Sequence, residues 1–184
     1  MAVVRVSGNA GSGKTTLCKR LAAVLNYGHL YAGGMFRKMA VARGMSIEAF
    51  YAQLKEDPEL EKSVDTHMEL EMCARDCLVA EGRIAPFLRC NFRTVNVKVA
   101  VSPEEGARRQ LLRPENSGKP LEEMLMLSSL RTGQERVRYR VLYGIEDYLD
   151  DRHFDIVLDT TYTSADAAFS LLCTLLLPRL LPSP

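Results

Sequence analysis

The sequence predicts an α/β fold of three layers, with helices covering both faces of a parallel sheet, on three observations. Short β-branched runs alternate with longer helical stretches along the chain. The first run ends at a glycine-rich turn that opens an amphipathic helix. A chain of 184 residues with 47% hydrophobic content is enough for one packed core and an inserted lobe.

In order, Val3-Val4-Arg5-Val6 is the first strand, and Leu17, Cys18, Leu21, Val24 and Leu25 then recur as the buried stripe of a helix. Three more β-like segments stand at Leu78-Val79-Ala80, Val95 to Val101 and Ile156-Val157-Leu158, with a weaker one at His29-Leu30-Tyr31. Asp57-Pro58-Glu59 and Ser102-Pro103-Glu104-Glu105 each place a capping side chain before a proline at the first helical position. Two regions fit neither strand nor crossover. Residues 33–77 read as helical, and 113–140 open with Pro114-Glu115-Asn116-Ser117-Gly118-Lys119-Pro120 and turn arginine-rich. Both are expected to be mobile lobes over a site at the carboxyl ends of the strands, within a single domain spanning 1–184. The apolar stretch Leu171 to Leu181 falls short of the ~20 residues a bilayer needs and reads as a closing helix on the sheet.

Lys and Arg (24) nearly balance Asp and Glu (23), for a net charge of +1, so no broad basic face for a nucleic-acid polymer is expected. Cys18, Cys73, Cys77, Cys90 and Cys173 are an odd set without zinc-ligand spacing, and no leader precedes the first strand. A reducing cytoplasm, without membrane attachment, is the expected setting. Cys73 and Cys77 read as small buried residues sharing a helix face. His29, His67 and His153 show no ligand pattern and read as surface or packing residues, as do Met35, Met39, Met45, Tyr139 and Tyr143 as packing.

The chemistry starts at Gly8-Asn9-Ala10-Gly11-Ser12-Gly13-Lys14-Thr15, which matches G-x-x-x-x-G-K-[ST] between a strand and an amphipathic helix. Its glycines allow backbone conformations closed to residues with a Cβ, which turn successive N–H groups around phosphates at a helix N-terminus. Lys14 is expected to reach the β- and γ-phosphates of ATP, and Thr15, followed by Thr16, to ligate Mg²⁺. This is the P-loop NTPase pattern. The chain has no Asn-Lys-x-Asp element for guanine and is short for a motor ATPase. Further on, Val79-Ala80-Glu81-Gly82-Arg83 puts Glu81 where the second metal-site carboxylate stands, and Arg83 just past a strand's carboxyl end. An arginine there suits an acceptor that is itself phosphorylated; the plain alternative is a surface arginine in a tight turn.

Val6-Ser7-Gly8 through Lys14-Thr15-Thr16, Ala32-Gly33-Gly34-Met35-Phe36-Arg37, Arg43-Gly44-Met45-Ser46, Glu56-Asp57-Pro58-Glu59, Glu81-Gly82-Arg83, Glu135-Arg136-Val137-Arg138-Tyr139 and Tyr143-Gly144-Ile145 fall in sequence over the chain to about Asp166. Together they resemble the cytidylate kinase family in its shorter archaeal-type branch. The resemblance implies a nucleoside monophosphate kinase fold: a five-stranded parallel core, a monophosphate-binding lobe at 33–77 and a lid at 113–140. It also implies transfer from ATP, with Mg²⁺, to CMP or dCMP by a monomer. Carried over by position, Arg37 and Arg83 grip the acceptor phosphate. Arg131, Glu135 and Arg138 belong to the lid helix, where Glu135 is similar to the group touching the acceptor nucleoside and the arginines close on the transferring phosphoryl. Arg108 or Arg109 leans on the adenine. The chain departs from the pattern at Thr132 and Gly133, where acids are expected, and glycine inside a helix costs ~1 kcal/mol relative to alanine.

Apart from the resemblance, Arg131, Arg136, Arg138 and Arg140 read equally as a solvated basic helix face. Two other functions stay open on the residues alone. One is a kinase for AMP, UMP or a shikimate-like acceptor, although the Asp-x-Asp element that usually follows the loop helix in shikimate-type kinases is absent. The other is a nucleotide-binding regulatory module without turnover. Only the resemblance points to cytosine.

Overall fold

The fold is taken from a computed structural model that describes residues 2–45, 49–50, 53 and 57–181. Ser46 and Glu56, which carry part of the resemblance, lie outside the described residues. Strands β1 (Ala2–Ser7), β2 (Gly28–Tyr31), β3 (Leu78–Glu81), β4 (Arg93–Ala100) and β5 (Ile156–Asp159) form one sheet in the order β2-β3-β1-β4-β5. Every pairing is parallel; Val4, for example, stands beside Val79 on β3 and Val95 on β4. All five strand segments expected from the sequence are present, including the weak one at His29.

Helix α1 (Lys14–Leu25) follows β1, α2 (Ala32–Ala42) follows β2, and α3 (Pro58–Ala74) precedes β3. Helix α4 (Pro103–Leu111), the long α5 (Leu121–Tyr143) and α6 (Ala165–Leu180) follow later in the chain. The expected starts hold: Ser102 Oγ accepts from the Glu105 N–H at 3.3 Å and Asp57 Oδ1 from the Leu60 N–H at 3.2 Å. Helix α5 stops at Gly144, whose φ of 68° supplies the left-handed turn that ends a helix. One expectation is corrected. Cys73 sits in α3, but Cys77 stands beyond its end with φ 56°, so the two do not share a helix face.

β1 is buried along its whole length, and its alternate side chains feed two cores. Val4 and Val6 pack with Leu17 and Leu21 of α1 and Leu172 and Leu176 of α6, so the closing helix lies on the sheet as expected. Val3, on the other face, joins Met68 and Met72 of α3, Tyr139 of α5 and Tyr148. Arg5 is buried mid-strand, where Nε donates to Asn96 at 2.8 Å and a terminal nitrogen to the Leu88 carbonyl at 2.9 Å. Phe36, Met39 and Met45 pack on a smaller cluster of Ala40, Phe50 and Leu60 beside the main body. No described helix is long and apolar enough to cross a membrane. All five cysteines are free thiols.

Candidate active site

The strands' carboxyl ends open into a cavity of about 530 Å³, within the range of small-molecule sites. Its floor is the loop between β1 and α1. The loop owes its shape to two backbone approaches that admit no side chain. At Gly8, φ is 141° and a Cβ would stand 2.0 Å from the Val99 carbonyl oxygen; at Gly11, φ is 78° and a Cβ would stand 2.2 Å from that of Gly106. The loop therefore rests on β4 and on helix α4.

Lys14 starts α1 and folds back over the loop, donating from Nζ to the Asn9 carbonyl at 2.6 Å and to Ser12 Oγ at 3.3 Å. Burial, followed by the nearby Arg83 charge, pushes its ammonium well below the ordinary lysine range. A phosphate would reverse that pressure, because it compensates the buried charge. Asn9 turns its side chain away, donating to the Val101 carbonyl at 2.8 Å, and Ala10 through Thr16 line the cavity.

Thr15 Oγ1 donates to Glu81 Oε1 at 2.6 Å. That bond spends the hydroxyl proton and leaves the oxygen's lone pairs for a cation, with the buried carboxylate behind it. The oxygen donor set fits the hard Mg²⁺ ion expected with ATP. Glu81 ends β3, and two residues later Arg83 turns inward: one guanidinium nitrogen bonds to the Gly8 carbonyl, and Nε donates to Glu135 Oε2 at 3.0 Å. The surface reading of Arg83 is thereby overturned.

Glu135 is the hub of the opposite wall. Besides Arg83 it accepts from Arg131 Nε at 3.0 Å and from the Tyr148 hydroxyl at 2.6 Å. Burial alone would raise its carboxyl, but the Arg83 and Arg131 charges and the tyrosine hydrogen bond prevail and hold it at about 2. Tyr148 is raised in turn, by burial and by the Glu135 charge. Arg131, Glu135 and Arg138 recur at helical spacing on the face of α5 that lines the cavity, and Arg138 lies against the Tyr139 ring, 5.2 Å from its centroid. Arg136 and Arg140 take another face and pair with Asp147 and Glu146 at 2.9 and 2.7 Å. The solvated-face reading holds for those two, whereas Arg131, also half exposed, lines the cavity with Arg138. At Gly133 a Cβ would meet nothing within 4 Å, and Thr132 Oγ1 donates to the Ser128 carbonyl at 2.9 Å, so α5 runs unbroken through the departure.

The remaining wall comes from the end of β2 and the helical region after it. Tyr31, Phe36, Asp65 and Met68 line it, with Tyr139 opposite. Arg37 is exposed outside that lining, 3.4 Å from the Tyr31 hydroxyl, to which it donates. Arg109 also lies behind the cavity: Nε pairs with Glu105 at 2.9 Å, and one terminal nitrogen donates to the Thr160 carbonyl at 2.6 Å. Thr160 Oγ1 in turn reaches the Ser12 carbonyl at 3.0 Å, so Arg109 touches the loop through one residue. Arg108 is exposed and pairs with Glu104.

Two residues read as surface or packing, His29 and Tyr143, have polar work. His29 Nε2 stands 3.1 Å from Glu81 Oε2, and Tyr143 donates to Asp65 Oδ2 at 2.6 Å. Tyr148 and Asp65 carry no sequence signal of their own. Their partners come from elements far apart in the chain.

A phosphate-cradling loop, a hydroxyl and carboxylate for a hard cation, and inward arginines on both sides of one cavity define a P-loop phosphotransferase. A family model described as an AAA domain matches residues 4–128. The cytidylate kinase of Pyrococcus furiosus is 38% identical over 173 residues, 92% of this chain and 85% of that protein. That of Pyrobaculum arsenaticum is 38% identical over 168 residues, 91% of this chain and 89% of that protein. Among solved structures, shikimate kinase from Bacteroides thetaiotaomicron has a TM-score of 0.65 at 18% identity, covering 98% of this chain and 99% of that one, a likeness of fold. The chain belongs to the cytidylate kinase family of P-loop kinases.

Proposed function

We infer that this protein transfers the γ-phosphoryl group of ATP to CMP or dCMP. The observation that carries this reading is Arg83: it is held inside the cavity between the loop carbonyl of Gly8 and the Glu135 carboxylate, a position from which it can meet an acceptor phosphate opposite ATP. Both reacting groups are anionic, so the residues must screen repulsion and hold the groups in line. The loop N–H groups and Lys14 take the β- and γ-phosphates. Arg83 receives the acceptor phosphate, with Arg37 at the rim to join it. Thr15, backed by Glu81, would hold Mg²⁺, which when bound supplies neutralisation of the β/γ oxygens. Arg131 and Arg138, which line the same cavity, bind charge that builds on the equatorial oxygens. No general base is required, because a phosphate oxygen is already a nucleophile.

The acceptor base fits the wall of Tyr31, Phe36 and Met68, where Asp65 is the lining carboxylate that neither Thr15 nor Arg83 engages. A carboxylate accepts from the exocyclic amine of cytosine and opposes the carbonyl of uracil. Residues 33–77 and 113–140 act as lobes that close over both substrates and exclude water, which limits wasted ATP hydrolysis. Arg109 steadies the loop from behind on the adenine side. A reducing cytoplasm and a monomeric state complete this reading, and the free thiols accord with the first.

The test is ADP formation from Mg-ATP with CMP, dCMP, UMP, AMP, GMP or shikimate, run beside Lys14→Ala and Arg83→Ala proteins. Stimulation by CMP or dCMP, lost in both variants, is the expected result. A wild-type protein that binds ATP and responds to no acceptor overturns it in favour of a regulatory nucleotide-binding module.

A further inference from the structure

Glu81 has two clients. One carboxylate oxygen accepts from Thr15 on the nucleotide side, and the other stands 3.1 Å from His29 Nε2 on the far side. Cys18, one helical turn beyond Thr15 on α1, brings its thiol to that far side. Ligand atoms of Cys18, His29 and Glu81 all lie within 4.8 Å of one another. They come from α1, β2 and β3, three elements whose order in the sheet puts β2 beside β3 and whose packing lays α1 across it.

Ligands in a tetrahedral zinc site stand about 2.0–2.3 Å from the ion and hence about 3–4 Å from one another, so small side-chain rotations close this triad on a cation. Sulfur, imidazole and carboxylate donors suit zinc-class ions and not Mg²⁺, which takes oxygen. A thiolate and a carboxylate together also neutralise a divalent charge, and a neutral assembly is the form that a buried site tolerates. Ligation releases the thiol proton to solvent and involves no redox step. The His29 side chain is 18% exposed and provides the way in, while Cys18 and Glu81 are buried.

We propose that Cys18, His29 and Glu81 form a second metal site, for Zn²⁺ or an ion of its class, and that its occupancy slows phosphoryl transfer by drawing Glu81 away from Thr15. The inhibitory half rests on the kinase reading above, whereas the binding half does not. The bland alternative is a hydrogen-bonded triad that supports the end of β3 and ligates nothing.

Co²⁺ is the probe, because a thiolate ligand gives it a near-ultraviolet charge-transfer band. Titration of metal-free wild-type protein is expected to produce that band with the visible absorption of a four-coordinate ion, displaced by Zn²⁺ and not by Mg²⁺. Cys18→Ser should remove the band although four other thiols remain, and His29→Gln should weaken binding by about tenfold or more. The partly exposed His29 position keeps the test open should Cys18→Ser fail to fold. No band at excess Co²⁺, or a band that survives in both variants, overturns the site. In the second arm, Zn²⁺ should lower ADP formation by wild type and spare each variant, measured against its own zinc-free rate. Binding without inhibition overturns the regulatory half. A protein with no acceptor-stimulated turnover at all sinks the kinase reading, and the cobalt spectrum still decides the site.

Discussion

Arg83 and Glu135, separated by 52 positions, meet through a 3.0 Å hydrogen bond that ties the carboxyl end of β3 to the middle of helix α5. The same arginine holds the Gly8 carbonyl, so the phosphate loop, the core sheet and the arginine-bearing helix share one charged junction. Its two main side chains are largely inside, 16% and 4% exposed. Their bond is shielded from the screening that weakens surface pairs.

Glu135→Gln is therefore expected to destabilise the protein by about 3 kcal/mol at neutral pH, since it leaves a buried guanidinium without its counter-charge. The folded carboxyl titrates near 2 against an ordinary 4.5, so the folded state binds fewer protons than the unfolded chain between those values. Its stabilisation is fully present above pH 4.5 and is lost as pH falls toward 2. Urea midpoints of the two proteins should differ most at neutral pH and converge on acidification. A gap that is independent of pH would assign the loss to packing.

Arg131 should separate stability from turnover. Its side chain is 54% exposed and its bond to Glu135 is one of three on that carboxylate, so Arg131→Ala should cost under about 1 kcal/mol. If it binds charge that develops on the transferring phosphoryl, kcat should drop by about a hundredfold while KM for ATP changes little. A KM effect alone would make it a ground-state contact.

Gly106 lies outside the loop motif, yet a Cβ there would stand 2.9 Å from the Ala10 carbonyl oxygen. Gly106→Ala must push the loop off helix α4 or shift the helix. The expected outcome is a weaker ATP complex, by about tenfold, with the acceptor KM little altered. Titration calorimetry with ATP checks it, and unchanged affinity would mean that the helix yields instead.

Asp65→Asn replaces an acceptor-only carboxylate with an amide that can also donate, which a uracil carbonyl accepts. The ratio of kcat/KM for CMP over UMP should fall by about tenfold or more, chiefly through CMP. Tyr143→Phe, which removes the hydroxyl bonded to Asp65, should move the ratio in the same direction by less. An unchanged ratio would place base reading elsewhere on the wall.

The loop from Gly8 to Thr16 was legible because its function depends on local backbone geometry: glycines at required conformations, then a helix N-terminus, are written in adjacent residues. Strand positions and the two capped helix starts were legible for the same reason. Arg83 could be read from its place past a strand, and the face of α5 that carries Arg131, Glu135 and Arg138 from helical spacing once the helix was granted. What the sequence could not supply was partnership. That Glu135 serves Arg83, Arg131 and Tyr148 together, that Arg109 stands behind the loop, and that Cys18 and His29 gather at Glu81 all depend on which strands lie side by side. The order β2-β3-β1-β4-β5 is set by burying the whole sheet between two helical layers, a global minimum over distant segments. The sequence by itself thus determined the phosphate-binding chemistry, and the tertiary structure decided which charges face one another across it, because Coulomb and hydrogen-bond energies follow distance in space and take no account of distance along the chain.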